Sequence, residues 1–89
     1  MTDVPNHIRK MAHDREFKVT IRIGRSGLSD AMYEELDTQL TSRKVVKVKM
    51  NKGLIEDSAN RRATFEEIAE RVNAILVDAR GNVAIYWRS

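Results

Sequence analysis

Cysteine is absent from this 89-residue sequence, and the only two histidines lie six positions apart. The lack of cysteine excludes a disulfide scaffold and a thiolate metal site, and the spacing keeps His7 and His13 off a common helix face. No apolar run approaches the ~18 residues that span a membrane, and no secretory signal follows Met1. We therefore expect a cytoplasmic protein with no cofactor, no metal ion and no membrane partner.

The composition is that of one small folded domain covering residues 1–89. Hydrophobic residues make up 42% of the sequence and charged residues 33%, which is typical of a globular chain rather than a disordered one. The net charge is only +3, but the segment 43–52 holds five cations and no anion. A one-sided basic patch is typical of proteins that bind nucleic acid. The alternative is that edge-strand lysines merely prevent aggregation.

Hydrophobic periodicity predicts seven elements in the order α-β-α-β-α-β-β. A capping box formed by Thr64 and Glu67 predicts the start of the third helix, and Gly81-Asn82 predicts a hairpin turn between the last two strands. The segment 54–63 remains open between a loop, a short helix and an early part of the third helix. The predicted helices cover residues 5–16, 30–41 and 64–72, and the predicted strands cover residues 17–23, 44–50, 73–79 and 83–88.

This order of elements predicts an α/β (α+β) fold that forms a two-layer sandwich. Two strand–helix–strand units followed by a hairpin give a mixed four-stranded sheet, with helices packed against its apolar face. The first helix packs either with the other helices or across an edge of the sheet. Because the strands alternate apolar and polar residues, the opposite face should be open and basic. That face is predicted to carry Lys18, Thr20, Arg22, Lys47, Lys49, Tyr86 and Arg88, whereas Trp87 is assigned to the core.

A G-x-x-G turn, Gly24-Arg25-Ser26-Gly27, stands where the first strand ends, and Ser29 is placed to cap the helix that follows. Glycine tolerates positive φ and allows another backbone to come close. A strand that turns into a helix N-terminus directs backbone N–H groups at one point in space, which suits a phosphate. The alternative is a tight turn that needs its glycines for steric reasons alone.

No arrangement in the sequence indicates an enzyme or a small-molecule substrate. There is no cysteine nucleophile, and Ser26 and Ser29 have no histidine nearby in sequence to act as a base. The phosphate-loop motif G-x-x-x-x-G-K-[ST] is absent. The candidate catalytic carboxylates fall on predicted helix faces, namely Glu34, Glu35, Asp37, Glu66, Glu67 and Glu70. We therefore expect a non-catalytic binding protein. Of the possible oligomeric states, which the sequence leaves open, a monomer is favoured.

The segment from Val19 to Asp30, the later Val46-Lys47-Val48-Lys49, Gly81 and Trp87-Arg88 together resemble the CRM domain (chloroplast RNA splicing and ribosome maturation). The closer resemblance is to the stand-alone prokaryotic form, the YhbY-like proteins. It extends over nearly the whole chain and implies a fold similar to the C-terminal domain of translation initiation factor three. It also implies binding of structured RNA, since stand-alone members are linked to precursors of the large ribosomal subunit.

The resemblance assigns RNA-binding roles to particular positions. Gly24, Arg25, Ser26 and Gly27 match the RNA-binding loop of the family, Lys47 and Lys49 match its basic strand, and Arg88 matches an arginine that closes the last strand. Our sequence-based hypothesis is a protein that binds rRNA or a precursor of the large ribosomal subunit. Two alternatives stay open, an architectural protein that coats DNA and a protein-interaction module that uses an exposed strand edge.

Overall fold

A computed structural model describes residues 4–24, 27–51 and 57–89, and its seven elements follow the predicted order. The sheet is mixed and four-stranded, as predicted. Its strands run in the order β1-β2-β4-β3, with β1 parallel to β2 and the other neighbours antiparallel. The elements are α1 (Asn6–Ala12), β1 (Ile21–Ile23), α2 (Asp30–Arg43), β2 (Val45–Met50), α3 (Ser58–Arg71), β3 (Ile75–Arg80) and β4 (Val83–Trp87).

The main core lies between the sheet and the helices α2 and α3. From β2 it takes Val46, Val48 and Met50, all fully buried, and from the helices it takes residues such as Leu36 and Phe65. These three β2 residues alternate with the two lysines of the strand, as the sequence pattern predicts. The amphipathic strand therefore fixes which sheet face the helices α2 and α3 cover.

Helix α1 packs on the opposite face of the sheet, where it covers one end, so both positions expected for it, with the other helices or across a sheet edge, are wrong. Ile8 and Ala12 of α1 and the preceding Val4 form a second apolar cluster with residues that include Val45 and Trp87. Val45 and Trp87 are paired across β2 and β4, so they share this face with Lys47 and Lys49. The predicted basic face is thus only partly open, because its end beside Val45 is apolar and covered.

One predicted helix end and one predicted cap are wrong. α1 ends at Ala12 rather than near Glu16, and Pro5 is its N-cap residue. α3 begins at Ser58, so residues 58–63 form an early part of the third helix, which is one of the alternatives left open. Its cap is Asp57 rather than Thr64, since the carboxylate of Asp57 accepts the Ala59 N–H at 3.0 Å. Thr64 lies inside the helix, where its hydroxyl donates to the Asn60 carbonyl at 2.9 Å, a bond that the sequence pattern cannot distinguish from a cap.

The assignment of Tyr86 to the open face is also wrong. Its side chain is fully buried in the main core, and its hydroxyl donates to the Phe65 carbonyl of α3 at 2.9 Å. Burial raises the pKa of the Tyr86 hydroxyl well above its ordinary value, so the group stays neutral and serves as a donor. Trp87 is buried, as predicted, but it belongs to the cluster beneath α1.

Candidate nucleic-acid interface

Three cationic side chains form a row across the uncovered end of the α1 face. Arg22 of β1 pairs with Lys49 of β2, Lys49 pairs with Val83 of β4, and Val83 pairs with Arg80 of β3. Directly paired residues point to the same face of a sheet, so these four side chains lie side by side. Arg22, Lys49 and Arg80 are all exposed. We call Arg22, Lys49, Val83 and Arg80 the basic row.

The G-x-x-G loop begins at Gly24, which is two residues after Arg22 and directly follows β1. The Gly27 N–H donates to the Gly24 carbonyl at 2.9 Å. Ser29 caps α2 as predicted, because its hydroxyl accepts the Met32 N–H at 3.2 Å. The predicted contact residues Arg25 and Ser26 lie outside the described residues. The two described loop residues thus lie between the β1 end of the basic row and a capped helix N-terminus.

A shallow depression of about 370 Å³ joins the loop to the row. Arg22 and Lys49 contribute its basic wall, and Gly24 and Asn51 contribute the side toward the loop. The parallel pairing of β1 with β2 brings these residues together, and it continues beyond the strands because the Asn51 N–H donates to the Ile23 carbonyl at 2.8 Å. Two cations and an exposed glycine therefore surround one open space, which is a suitable shape for an anionic chain.

The two glycines of the loop have different structural requirements. Gly27 has φ +69°, a left-handed conformation that a side chain disfavours. Gly24 does not have a positive φ, and a Cβ built on it meets no described atom within 4 Å. The turn therefore explains Gly27, but the fold does not explain Gly24. A glycine with open space above it is consistent with the close approach of a ligand backbone.

The Lys47 side chain contacts another part of the protein, although the sequence pattern grouped Lys47 with Lys49 on the basic face. Its Nζ donates to the Phe17 carbonyl at 3.0 Å and lies 6.0 Å from the centre of the Phe17 ring. The side chain is half-buried, and it lies between the basic row and the cluster covered by α1. Lys47 therefore adds positive potential to this face while also holding the segment that leads into β1.

The residues that precede β1 do not all join the basic face. β1 covers only residues 21–23, although the Thr20 N–H still donates to the Lys47 carbonyl at 3.1 Å. Lys18 is exposed, whereas the Thr20 hydroxyl donates to Gln39 of α2 at 2.5 Å. The expectation that Thr20 points to the basic face is thus wrong, because its side chain ties the start of β1 to α2.

Arg88 does not join the basic face either, so that prediction is wrong in its geometry. Its guanidinium donates to the Asp37 carboxylate at 2.7 Å, to the Thr41 hydroxyl at 3.3 Å and to the Val72 carbonyl. Only 20% of the side chain is exposed. Arg88 therefore ties the end of β4 to α2 and to the end of α3, on the opposite side of the sheet from the basic row.

Sequence reasoning missed Arg80, which it placed in the hairpin connection. β3 extends through Arg80, and the turn consists of Gly81 and Asn82 alone, with Gly81 at φ +55°. The Gly81-Asn82 pair was recognised, and a strict two-residue turn would have placed Arg80 opposite Val83. The irregular pairing between Leu76 and Asp78 is what the sequence could not reveal, since it changes which β3 residues share a face.

Other classes of site find no support in the described part of the chain. No group of three or more Asp, Glu, His or Cys residues there is placed to hold a metal ion. None of the helices in the described ranges is long and apolar enough to cross a membrane.

The two loop glycines give a direct test of the local geometry. Gly27→Ala should lower the free energy of unfolding by about 1 kcal/mol or more, since alanine is strained at positive φ. Gly24→Ala should change the free energy by less than about 0.5 kcal/mol, because its Cβ enters open space. Urea unfolding followed by the fluorescence of the single, buried Trp87 measures both values. Equal losses for the two variants would show that Gly24 is a requirement of the fold.

Comparison with known proteins identifies the family. A search of curated proteins finds no significant match to this chain. Among solved structures, the chain is similar to the hypothetical protein SAV1595 from Staphylococcus aureus, with 23% sequence identity and a TM-score of 0.75 over 94% of this chain and 82% of the other. The family model for the CRS1 / YhbY (CRM) domain matches residues 4–88, which confirms the resemblance drawn from the sequence motifs. This protein therefore belongs to the CRS1/YhbY (CRM) domain family.

Proposed function

We propose that this protein binds RNA without catalysing a reaction, and that the basic row and the adjoining G-x-x-G loop form its binding surface. The observation that carries the proposal is the arrangement of Arg22 and Lys49 around the same depression as Gly24. Exposed cations on one face supply the attraction to phosphates, and the glycine leaves room for the ligand backbone. The related structure of SAV1595, for which RNA binding has been suggested, supports the same function.

The aromatic residues favour structured RNA as the ligand. All five aromatic side chains are described, and each is buried or half-buried. Proteins that bind single strands without sequence preference use exposed aromatic rings as stacking platforms. With its rings occupied in the two cores, this protein must rely on phosphate and sugar contacts, which is how double-stranded RNA is recognised. The proposed ligand is thus a folded RNA, read by its shape and charge.

We further propose that the RNA is rRNA within a precursor of the large ribosomal subunit, where the protein assists assembly. Family membership supports this step, together with the preference for structured RNA argued above. The same membership and the absence of an assembled nucleophile and base among the described residues support a non-catalytic role. Ser29, the described candidate nucleophile, uses its hydroxyl as a helix cap.

Removal of single charges from the basic row tests the proposed surface. Arg22→Gln and Lys49→Gln should each weaken binding to an RNA hairpin about fivefold, because each removes a charge-assisted contact that contributes about 1 kcal/mol. The slope of log K against log salt concentration should become shallower by about 0.7 to 0.9 for each lost phosphate contact. Fluorescence anisotropy titrations over a range of salt concentrations measure both quantities.

Arg43→Gln is the matched control for these variants. Arg43 is exposed in the last turn of α2, beside the end of β2 that is farthest from Lys49, and the substitution removes the same charge. Affinity and salt slope should stay close to the wild-type values. If Arg43→Gln weakened binding as much as Lys49→Gln, the interaction would depend on total charge and the proposed surface would be wrong. Duplex DNA that competed as well as the RNA hairpin would favour the architectural DNA-binding alternative.

Crosslinking in cells tests the proposed identity of the RNA. After ultraviolet irradiation and sequencing of the attached RNA, we expect reads concentrated in a defined region of large-subunit rRNA. Reads concentrated in introns or tRNA would keep RNA binding but contradict the role in ribosome assembly. A control with the Arg22→Gln/Lys49→Gln protein should lose this enrichment, provided that its unfolding curve matches the wild type.

A further inference from the structure

Arg80 lies at the far side of the sheet from the G-x-x-G loop. It is the last residue of β3, the edge strand opposite to β1, and the pairing through Val83 and Lys49 connects it to Arg22. Adjacent strands are about 4.8 Å apart, so the basic row spans about 14 Å from Arg22 to Arg80. This distance is greater than one phosphate group can bridge, and Arg80 is therefore a separate contact point.

The side chain of Arg80 is available for a ligand. It is 77% exposed, and its Nε lies 3.5 Å from the carboxylate of Asp78. That contact uses one edge of the guanidinium, and no described residue forms a hydrogen bond or an ion pair with its two terminal nitrogens. Since a guanidinium carries five N–H donors, the remaining donors can bind a phosphate in a bidentate manner.

Asp78, the acidic partner of Arg80, also has other partners in the protein. Only 27% of its side chain is exposed. One carboxylate oxygen accepts the Ala79 N–H at 3.0 Å, and the other lies 3.8 Å from Nδ1 of His13, next to the end of α1. The carboxylate is therefore engaged by three neighbouring groups, and its side chain is much less exposed than that of Arg80.

No large side chain projects from the sheet between Lys49 and Arg80. Val83 occupies the position between them, and it is short and half-buried. Val83 also lines a shallow cavity of about 210 Å³, together with Ala12, Lys47, Asp78, Arg80 and Ile85. An extended polyanion can thus pass from Lys49 to Arg80 without meeting a bulky side chain, whereas α1 blocks a path along the strands.

From this arrangement we infer that Arg80 binds a second backbone phosphate of the same RNA, so that the RNA crosses the sheet perpendicular to the strands, from the G-x-x-G loop to the β3–β4 turn. The inference rests on the proposed RNA-binding function and adds to it the direction of the ligand and the far end of the contact surface. Neither the family match nor the sequence motifs include Arg80 in the site. The reason is that only the pairing of β3 with β4 places it in line with Lys49.

Salt-dependent binding of an RNA hairpin by Arg80 variants tests this inference. Arg80→Gln should weaken binding about fivefold and make the log K against log salt slope shallower by about 0.7 to 0.9. Arg80→Lys keeps the charge and should retain the slope, with a smaller loss of affinity because the bidentate geometry is gone. Arg22→Gln/Arg80→Gln should lose the sum of the two single effects, because contacts about 14 Å apart are independent.

The outcomes separate this inference from the proposed function. If the wild-type protein does not bind RNA, both are wrong. If Arg22→Gln weakens binding while Arg80→Gln behaves like the control Arg43→Gln, RNA binding stands and the crossing path is wrong. An Arg80→Gln protein whose urea unfolding curve matches the wild type excludes misfolding as the cause of lost affinity. If Arg80→Gln does not fold, the affinity of Arg80→Lys for the RNA hairpin is compared with that of the wild type. A lower affinity of Arg80→Lys supports the Arg80 contact, and an equal affinity contradicts it.

Discussion

The pairing of β2 with strands on both of its sides is the constraint on which the rest of the structure depends. β2 is central in the sheet, and it places Val46, Val48 and Met50 in the main core while Lys49 reaches the basic row. A shift of one residue in its register would exchange the two sets, burying the lysines and exposing the core. Because three fully buried side chains resist that exchange, the position of Lys49 beside Arg22 and Val83 is fixed by the hydrophobic effect rather than by the charges themselves.

Helix α1 divides the second face of the sheet into an apolar end and a basic end. Its buried side chains cover the pair Val45 and Trp87, whereas the basic row lies at the end that α1 leaves open. Lys47 lies at the boundary between these two ends, and its ammonium group donates a hydrogen bond to the Phe17 carbonyl. The covered end contributes stability to a small domain, and the open end keeps its cations accessible. The same face can thereby serve both the fold and the ligand without burying an unpaired charge.

Local signals in the sequence predicted much of this arrangement. The order of elements, the Ser29 cap, the Gly81-Asn82 turn and the lysine side of β2 all follow from patterns only a few residues long. The last strand could not be assigned in the same way, because Val83 to Trp87 is apolar on both faces and alternation then carries no information. Hence Tyr86 was placed on the wrong face, and the tertiary role of Arg88 as a tie between helices was missed. Arg80 was missed for a local reason, since the predicted strand stopped at residue 79, whereas the two-residue turn extends β3 to Arg80 and pairs it with Val83.

An NMR titration of isotope-labelled protein with an RNA hairpin tests the central claim most directly, because it reports on every described element at once. The account predicts shifts of the amide signals at Arg22, Gly24, Lys49 and Asn51, extending to Arg80. Signals of Arg88 and of the outer surface of α3 should stay unchanged, since they lie on the opposite side of the sheet. The account would be contradicted if the amide signals of α2 and α3 shifted while those of the basic row did not change.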